Sequence, residues 1–135
     1  MTCAVIQASF IPWRGYFHQI QKAECFVFYD DVQYDKHGWR NRNRIKTAQG
    51  AQWLTVPVLA RGVVSEHLPI CEVLIDWKTN WLRKHLAAVK QSYGRAPFFS
   101  EYFPILEKAY EIRPERLVDL TIPLTVELAA ALGIR

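Results

Sequence analysis

Nowhere in this sequence do roughly eighteen apolar residues follow one another, so no segment reads as a membrane-spanning helix. Residues 1–17 hold no early basic residue, break their apolar run at Gln7 and reach Pro12 and Arg14 before a signal-peptide core is complete. Cysteine is scarce. Cys3, Cys25 and Cys71 are odd in number, widely separated and without a C-x-x-C pair, so their spacing defines neither a disulfide framework nor a zinc knuckle. The histidines His18, His37, His67 and His85 show no metal-ligand spacing. There is no glycine-rich phosphate loop, no internal repeat and no low-complexity tract. These absences predict a cytoplasmic protein that folds without staples.

What is present is the composition of one ordinary globular domain: 135 residues, 50% hydrophobic and 22% charged. A chain of that length buries roughly two-thirds of its unfolded surface, enough for a real core. The charge is uneven. Residues 36–46, KHGWRNRNRIK, hold five of the 17 basic residues and none of the 13 acids, so more than the whole net charge of +4 sits there. Asp30, Asp31 and Asp35 stand just upstream. Carboxylates beside guanidinium groups suit a ligand that is both anionic and hydroxyl-bearing.

Residues 3–11 form an apolar run that ends at Pro12, a residue suited to the first position of a helix. That helix is expected to reach about Ala23, with Trp13, Tyr16, Phe17 and Ile20 on its buried face. CFVFY at 25–29 then reads as a strand covered on both faces, completing a βαβ unit. Further strands are expected at 52–58, ending near Pro57, and at 70–75, with a turn at Arg61-Gly62 between them. After Asp76 the pattern turns helical: a helix capped by Asp76 or Thr79 through about Ser92, one from Pro97 to about Glu111, and one from Pro114, interrupted or kinked near Pro123 and closed by Gly133. The expected fold is a single α/β domain over 1–135. It has a small, mostly parallel sheet of about four strands with flanking helices in 1–75 and a helical C-terminal half in 76–135.

In open α/β sheets ligands bind at the carboxyl ends of strands. Two such places follow: the turn Phe10-Ile11-Pro12-Trp13, and Asp30-Asp31, where nucleotide-binding folds put a ligand for a ribose hydroxyl or for Mg²⁺. The plainer reading is that the two aspartates cap a turn. If 40–44 is extended, Arg40, Arg42 and Arg44 point one way and Asn41 and Asn43 the other, giving three parallel forks for phosphate or carboxylate. If it is helical, only Arg40 and Arg44 share a face. The plainer reading is an edge strand charged against aggregation, against which Trp39 argues as a stacking platform. His85 falls on an apolar helix side and reads as a satisfied core residue, whereas His37 is the better proton-transfer candidate. Ser65-Glu66-His67 is too compact for a triad. Trp13, Trp39 and Trp53 border the candidate site.

Four segments, QASFIPWRGYF (7–17), AECFVFYDDVQYDKHGWRNRNRI (23–45), GAQWLTVPV (50–58) and WLRKHLAAVKQSYGRAPFFSEYFPILEKAY (81–110), resemble the WbqC-like protein family. Ala8 departs from it, because the family carries proline after the glutamine. The resemblance implies a bacterial protein of O-antigen or other surface-polysaccharide gene clusters, with a glycine- or acyl-transferase role. It implies as signature residues Gln7, Pro12, Trp13, Gly15, Tyr16, Asp30, Asp31, Gln33, Lys36, Trp39, Asn41, Arg42, Asn43 and Arg44. It also implies that members continue beyond the last residue here, so the chain is either a short relative or part of a longer one.

Together these readings point to group transfer on a nucleotide-linked amino sugar or an activated acyl or aminoacyl donor. Arg40, Arg42 and Arg44 are expected on the phosphates, Trp13 or Trp39 on a ring, Asp30 or Asp31 on a hydroxyl or Mg²⁺, and His37 or Asp31 on the proton of the attacking amine. Gln7, Tyr16, Gln33, Lys36, Asn41 and Asn43 complete the expected substrate contacts. Two alternatives are a nucleic-acid-binding module using 36–46, which the adjacent aspartates oppose, and an assembly subunit without chemistry of its own.

Overall fold

The computed structural model describes residues 1–59 and 67–135. The Arg61-Gly62 turn and the Ser65-Glu66 dipeptide lie outside the described residues. The order is β1 (Cys3–Ile6), α1 (Arg14–Lys22), β2 (Cys25–Phe28), β3 (Arg42–Thr47), β4 (Gly50–Thr55), a 3-10 turn (Ile70–Glu72), α2 (Trp81–Tyr93), α3 (Phe99–Glu111) and α4 (Leu117–Ala131).

The βαβ unit forms. β1 and β2 pair in parallel with Cys3 opposite Cys25 and Ile6 opposite Phe28, and Tyr16 of α1 packs on Phe26 with ring centroids 5.4 Å apart. Only one face is covered, however. Phe26 and Phe28 turn inward while Cys25, Val27 and Tyr29 are exposed, so the run 25–29 is not buried on both faces. Tyr16 and Phe17 are the buried residues of α1, whereas Trp13, expected on the same face, is 66% exposed.

Among the described residues the four strands form two two-stranded sheets, not a single four-stranded one. The basic segment supplies a strand of its own, β3, which pairs antiparallel with β4 across a tight turn where Gly50 adopts a φ of 110°. The strand expected at 70–75 is a 3-10 turn followed by single bridges, Leu74 with Arg116 and Val58 with Ile75. Its apolar residues bury differently: Ile70 and Val73, both 0% exposed, are three apart and align on one side of a three-residue turn.

The helical half follows expectation with two changes. α4 runs through Pro123 without interruption, although an internal proline costs a helix roughly 3 kcal/mol. Burial offsets that cost, because Leu117, Val118, Leu120, Leu124 and Ala129 of this helix are all buried. Asp76 does not cap α2; Asn80 precedes the helix and the Asp76 carboxylate accepts from Lys78 N–H at 2.9 Å. The core joins both halves through Phe10, Tyr34, Leu54, Val56, Ile70, Trp81, Tyr110 and Leu124. No helix among the described residues is long and apolar enough to cross a membrane.

Candidate functional site

The loop leaving β1 and the basic segment are bound to each other. Phe10 N–H donates to Trp39 O at 3.1 Å, Arg40 Nη1 to Ala8 O at 3.4 Å, and the Asn43 amide reaches the carbonyls of Phe10 and Ile11. Tyr16 Oη closes the loop from below by donating to Gln7 O at 2.9 Å. Ile11 is held at a φ of 42°, a costly conformation for a β-branched residue, and the Asn43 bonds sit where that strain must be carried.

These ties leave a cavity of about 550 Å³ between the two segments. Ile6, Ser9, Pro12, Trp13 and Tyr16 line one side and Trp39, Arg40, Asn43 and Arg44 the other. Both indoles are open to solvent, Trp13 at 66% and Trp39 at 44%. Trp13 also borders a second depression of about 700 Å³, shared with Phe17, His18 and Leu132, so its ring is the wall between the two. Gly15 permits that position: a Cβ there would overlap the indole.

Arg40 dominates the electrostatics. Its side chain is only 11% exposed, yet its Nε has no hydrogen-bond partner among the described residues and lies 3.6 Å from Asp35 Oδ1. Burial pulls the guanidinium below its ordinary pKa, against Asp35 and Tyr16, which favour the charged form. An arginine nevertheless stays charged, so this is a largely desolvated cation, paired with Asp35 at ion-pair distance but with its Nε–H left without a hydrogen bond. Burial also pushes the Tyr16 phenol up to about 12, partly countered by Arg40, so it remains a neutral hydrogen-bond donor.

Arg42 is not part of this cavity. It donates through Nη2 to His37 O at 2.7 Å and through Nε to Gly38 O at 3.3 Å, with its guanidinium 4.2 Å from the centroid of Trp53. Arg44 shares its face of β3 but lines the cavity, so the three guanidinium groups divide two to one rather than forming one row. Asn41 is buried and donates to Val56 O at 2.9 Å. Gln7 contributes its carbonyl to Tyr16, and Gln33 and Lys36 are exposed outside the lining.

Asp30, Asp31 and His37 also lie outside the lining. Asp30 O accepts from Cys71 N–H at 2.8 Å, and the Asp30 and Asp31 carboxylates add to the desolvation that holds the Cys71 thiol above its ordinary pKa. β2 therefore delivers these aspartates to the 3-10 turn. Among the described residues no group of three or more His, Cys, Asp and Glu side chains is placed to hold a metal ion. Sequence reasoning gave no role to Ile6 or Ser9, and named Asp35 only as one of three acids beside the basic segment. Ser9 sits inside an apolar run, where only the fold reveals that its residue faces the cavity.

The fold and cavity define a small α/β protein with a cationic, tryptophan-walled cavity. The chain belongs to the WbqC-like protein family, whose model matches residues 7–135. It is 48% identical over 107 residues to the uncharacterized protein Rv1507c of Mycobacterium tuberculosis, a match covering 79% of this chain and 45% of that protein. The matched part of the chain thus covers less than half the length of that relative. No solved structure matches it.

Proposed function

We propose that this domain binds the anionic part of an activated donor or nucleotide-linked amino sugar, and serves aminoacyl or acyl transfer in bacterial surface-polysaccharide assembly. The observation that carries the reading is Arg40: a largely buried guanidinium, only loosely paired with Asp35, that lines one cavity with Arg44 and two exposed indoles. A phosphate or carboxylate between Arg40 and Arg44 accepts charge-assisted hydrogen bonds, and Trp13 or Trp39 stacks on a sugar or base. The volume of about 550 Å³ falls within the range of small-molecule sites.

The lining supplies binding and orientation. Tyr16, pushed up to about 12, is no base at neutral pH, and its hydroxyl proton is already given to Gln7 O. The proton of an attacking amine therefore passes to a group outside the lining, for which Asp30, Asp31 and His37 are this chain's candidates, with Asp35 the carboxylate nearest Arg40. Any Mg²⁺ at Asp30 and Asp31 would need substrate oxygens to complete its shell. The nucleic-acid reading has less behind it, because Arg42 is spent on His37, Gly38 and Trp53.

Calorimetric titration with UDP- and dTDP-linked amino sugars tests the proposal. Binding should weaken by about tenfold or more in Arg44→Ala, the loss of one charge-assisted contact. Absence of binding at millimolar ligand, or equal affinity in Arg44→Ala and Arg40→Gln, would overturn it.

A further inference from the structure

Cys3 and Cys25 face each other. They are the first registered pair of the parallel β1 and β2 strands, and both are exposed and unbonded, on the open face that also carries Val5 and Val27. Neighbouring strands lie roughly 4.7–4.9 Å apart. That separation falls inside the Cα span of disulfides, about 4.4–6.8 Å, while a Cβ pair at strand spacing sits just outside their usual 3.5–4.5 Å. A bond between these residues is thus reachable but strained, which marks an easily reduced disulfide rather than a permanent one. Cys3 is held above the ordinary thiol pKa by desolvation and then by Cys25, so the two sulfurs sense each other. Cys71 is elsewhere, beside the Asp30 carbonyl.

We infer that Cys3 and Cys25 form a reversible thiol–disulfide site whose co-reactant is a small disulfide such as oxidised glutathione. One protein thiolate attacks the glutathione disulfide, breaking its S–S bond and releasing one glutathione thiolate. The second protein thiolate then displaces the other glutathione. Two electrons pass from the protein sulfurs to glutathione, and the two protons end on the two glutathione thiols formed. The closed bond ties together the two strands that lead into the 7–13 loop and into Asp30-Asp31. It stands on strand register alone and does not depend on what the cavity binds.

The test equilibrates the full chain in glutathione buffers of graded oxidation, alkylates it and records intact mass, non-reducing mobility and a peptide map. Wild-type protein should fall from three alkylated thiols to one, with a monomeric Cys3–Cys25 bond that reopens in reduced glutathione. Cys25→Ser should stop at a mixed disulfide on Cys3. Unfolded in denaturant, the wild type should close less readily, because the register no longer concentrates one thiol near the other. Three alkylated thiols at every ratio, a disulfide-linked dimer, a bond to Cys71, or closure as ready in the unfolded chain would each overturn the inference.

Discussion

His85 makes the stability of this domain depend on pH. It is 5% exposed, its Nε2 lies 2.9 Å from Thr55 O and its Nδ1 lies 2.8 Å from Tyr110 Oη. A carbonyl only accepts, so Nε2 carries the proton and Nδ1 accepts from the tyrosine hydroxyl. The site is thereby complete with a neutral ring, and burial pushes the His85 pKa down to about 4 from the ordinary 6.5, against the Thr55 carbonyl. The direction follows by linkage. Between 6.5 and 4 the unfolded chain takes up a proton that the native chain refuses, so stability is full above 6.5 and falls as the pH drops toward 4. At 1.36 kcal/mol per unit the shift sets a ceiling of roughly 3 kcal/mol, and solvent access reduces it to about 2 kcal/mol. That is a large share of a domain stability of about 5–15 kcal/mol.

Urea denaturation at pH steps from 7 to 4.5 measures this, provided wild type is compared with His85→Gln. The variant is less stable throughout because it disturbs one buried and one partly buried hydrogen bond, but it lacks the titrating group. Its stability should fall less steeply between pH 6.5 and 5, where carboxylates contribute least. The other three histidines are exposed and common to both proteins. Parallel pH profiles would refute the reasoning, since they mean that His85 binds its proton as readily in the native as in the unfolded state.

Two further outcomes follow from the loop and hairpin. Gly15→Ala should displace the Trp13 indole and weaken ligand binding several-fold while shifting the urea midpoint little, because the ring it strikes is exposed; unchanged affinity with a large stability loss would mean that Trp13 is packing rather than wall. Arg42→Ala should do the reverse, costing about 1–2 kcal/mol through lost carbonyl contacts and stacking on Trp53, with affinity within about twofold of wild type in the same calorimetric titration.

The βαβ opening was legible because CAVI and CFVF are short apolar runs on either side of a helix that begins just after Pro12. The β3–β4 hairpin was harder to read. Its first strand, RNRIKT, spends its alternation on Arg42, Arg44 and Lys46, and charge hides a strand from any apolar count. ICEVLI misled for the opposite reason, since an apolar segment with β-branched Ile70 and Val73 serves a 3-10 turn as well as a strand when its burial comes at spacing three. Pro123 promised a break that the burial of α4 overrides.

At the site, Trp13, Tyr16, Trp39, Arg40, Asn43 and Arg44 were picked from the sequence, and the fold brings them together around one cavity. Asp30 and Asp31 were drawn to the same place by their position at the end of the second strand, and His37 by its place in the basic segment. In space, β2 ends against the 3-10 turn, and His37 offers its carbonyl to Arg42. Asn41 and Asn43 looked like ligand contacts. Asn41 is buried and bonds to Val56 O, whereas Asn43 braces the loop against the strand and also lines the cavity, roles visible only once the partners of their amides are known.

The central claim is that Arg40 and Arg44 receive an anion beneath the Trp13 and Trp39 rings. Proton–nitrogen correlation NMR reads the arginine Nε–H and indole N–H signals directly during titration with a UDP-linked amino sugar. The account predicts saturable shifts at Arg40, Arg44, Trp13 and Trp39, with slowed solvent exchange at Arg40 Nε–H, while Arg42 stays still. Shifts centred on Arg42 and Trp53, or an Arg40 signal unmoved at saturation, would contradict it.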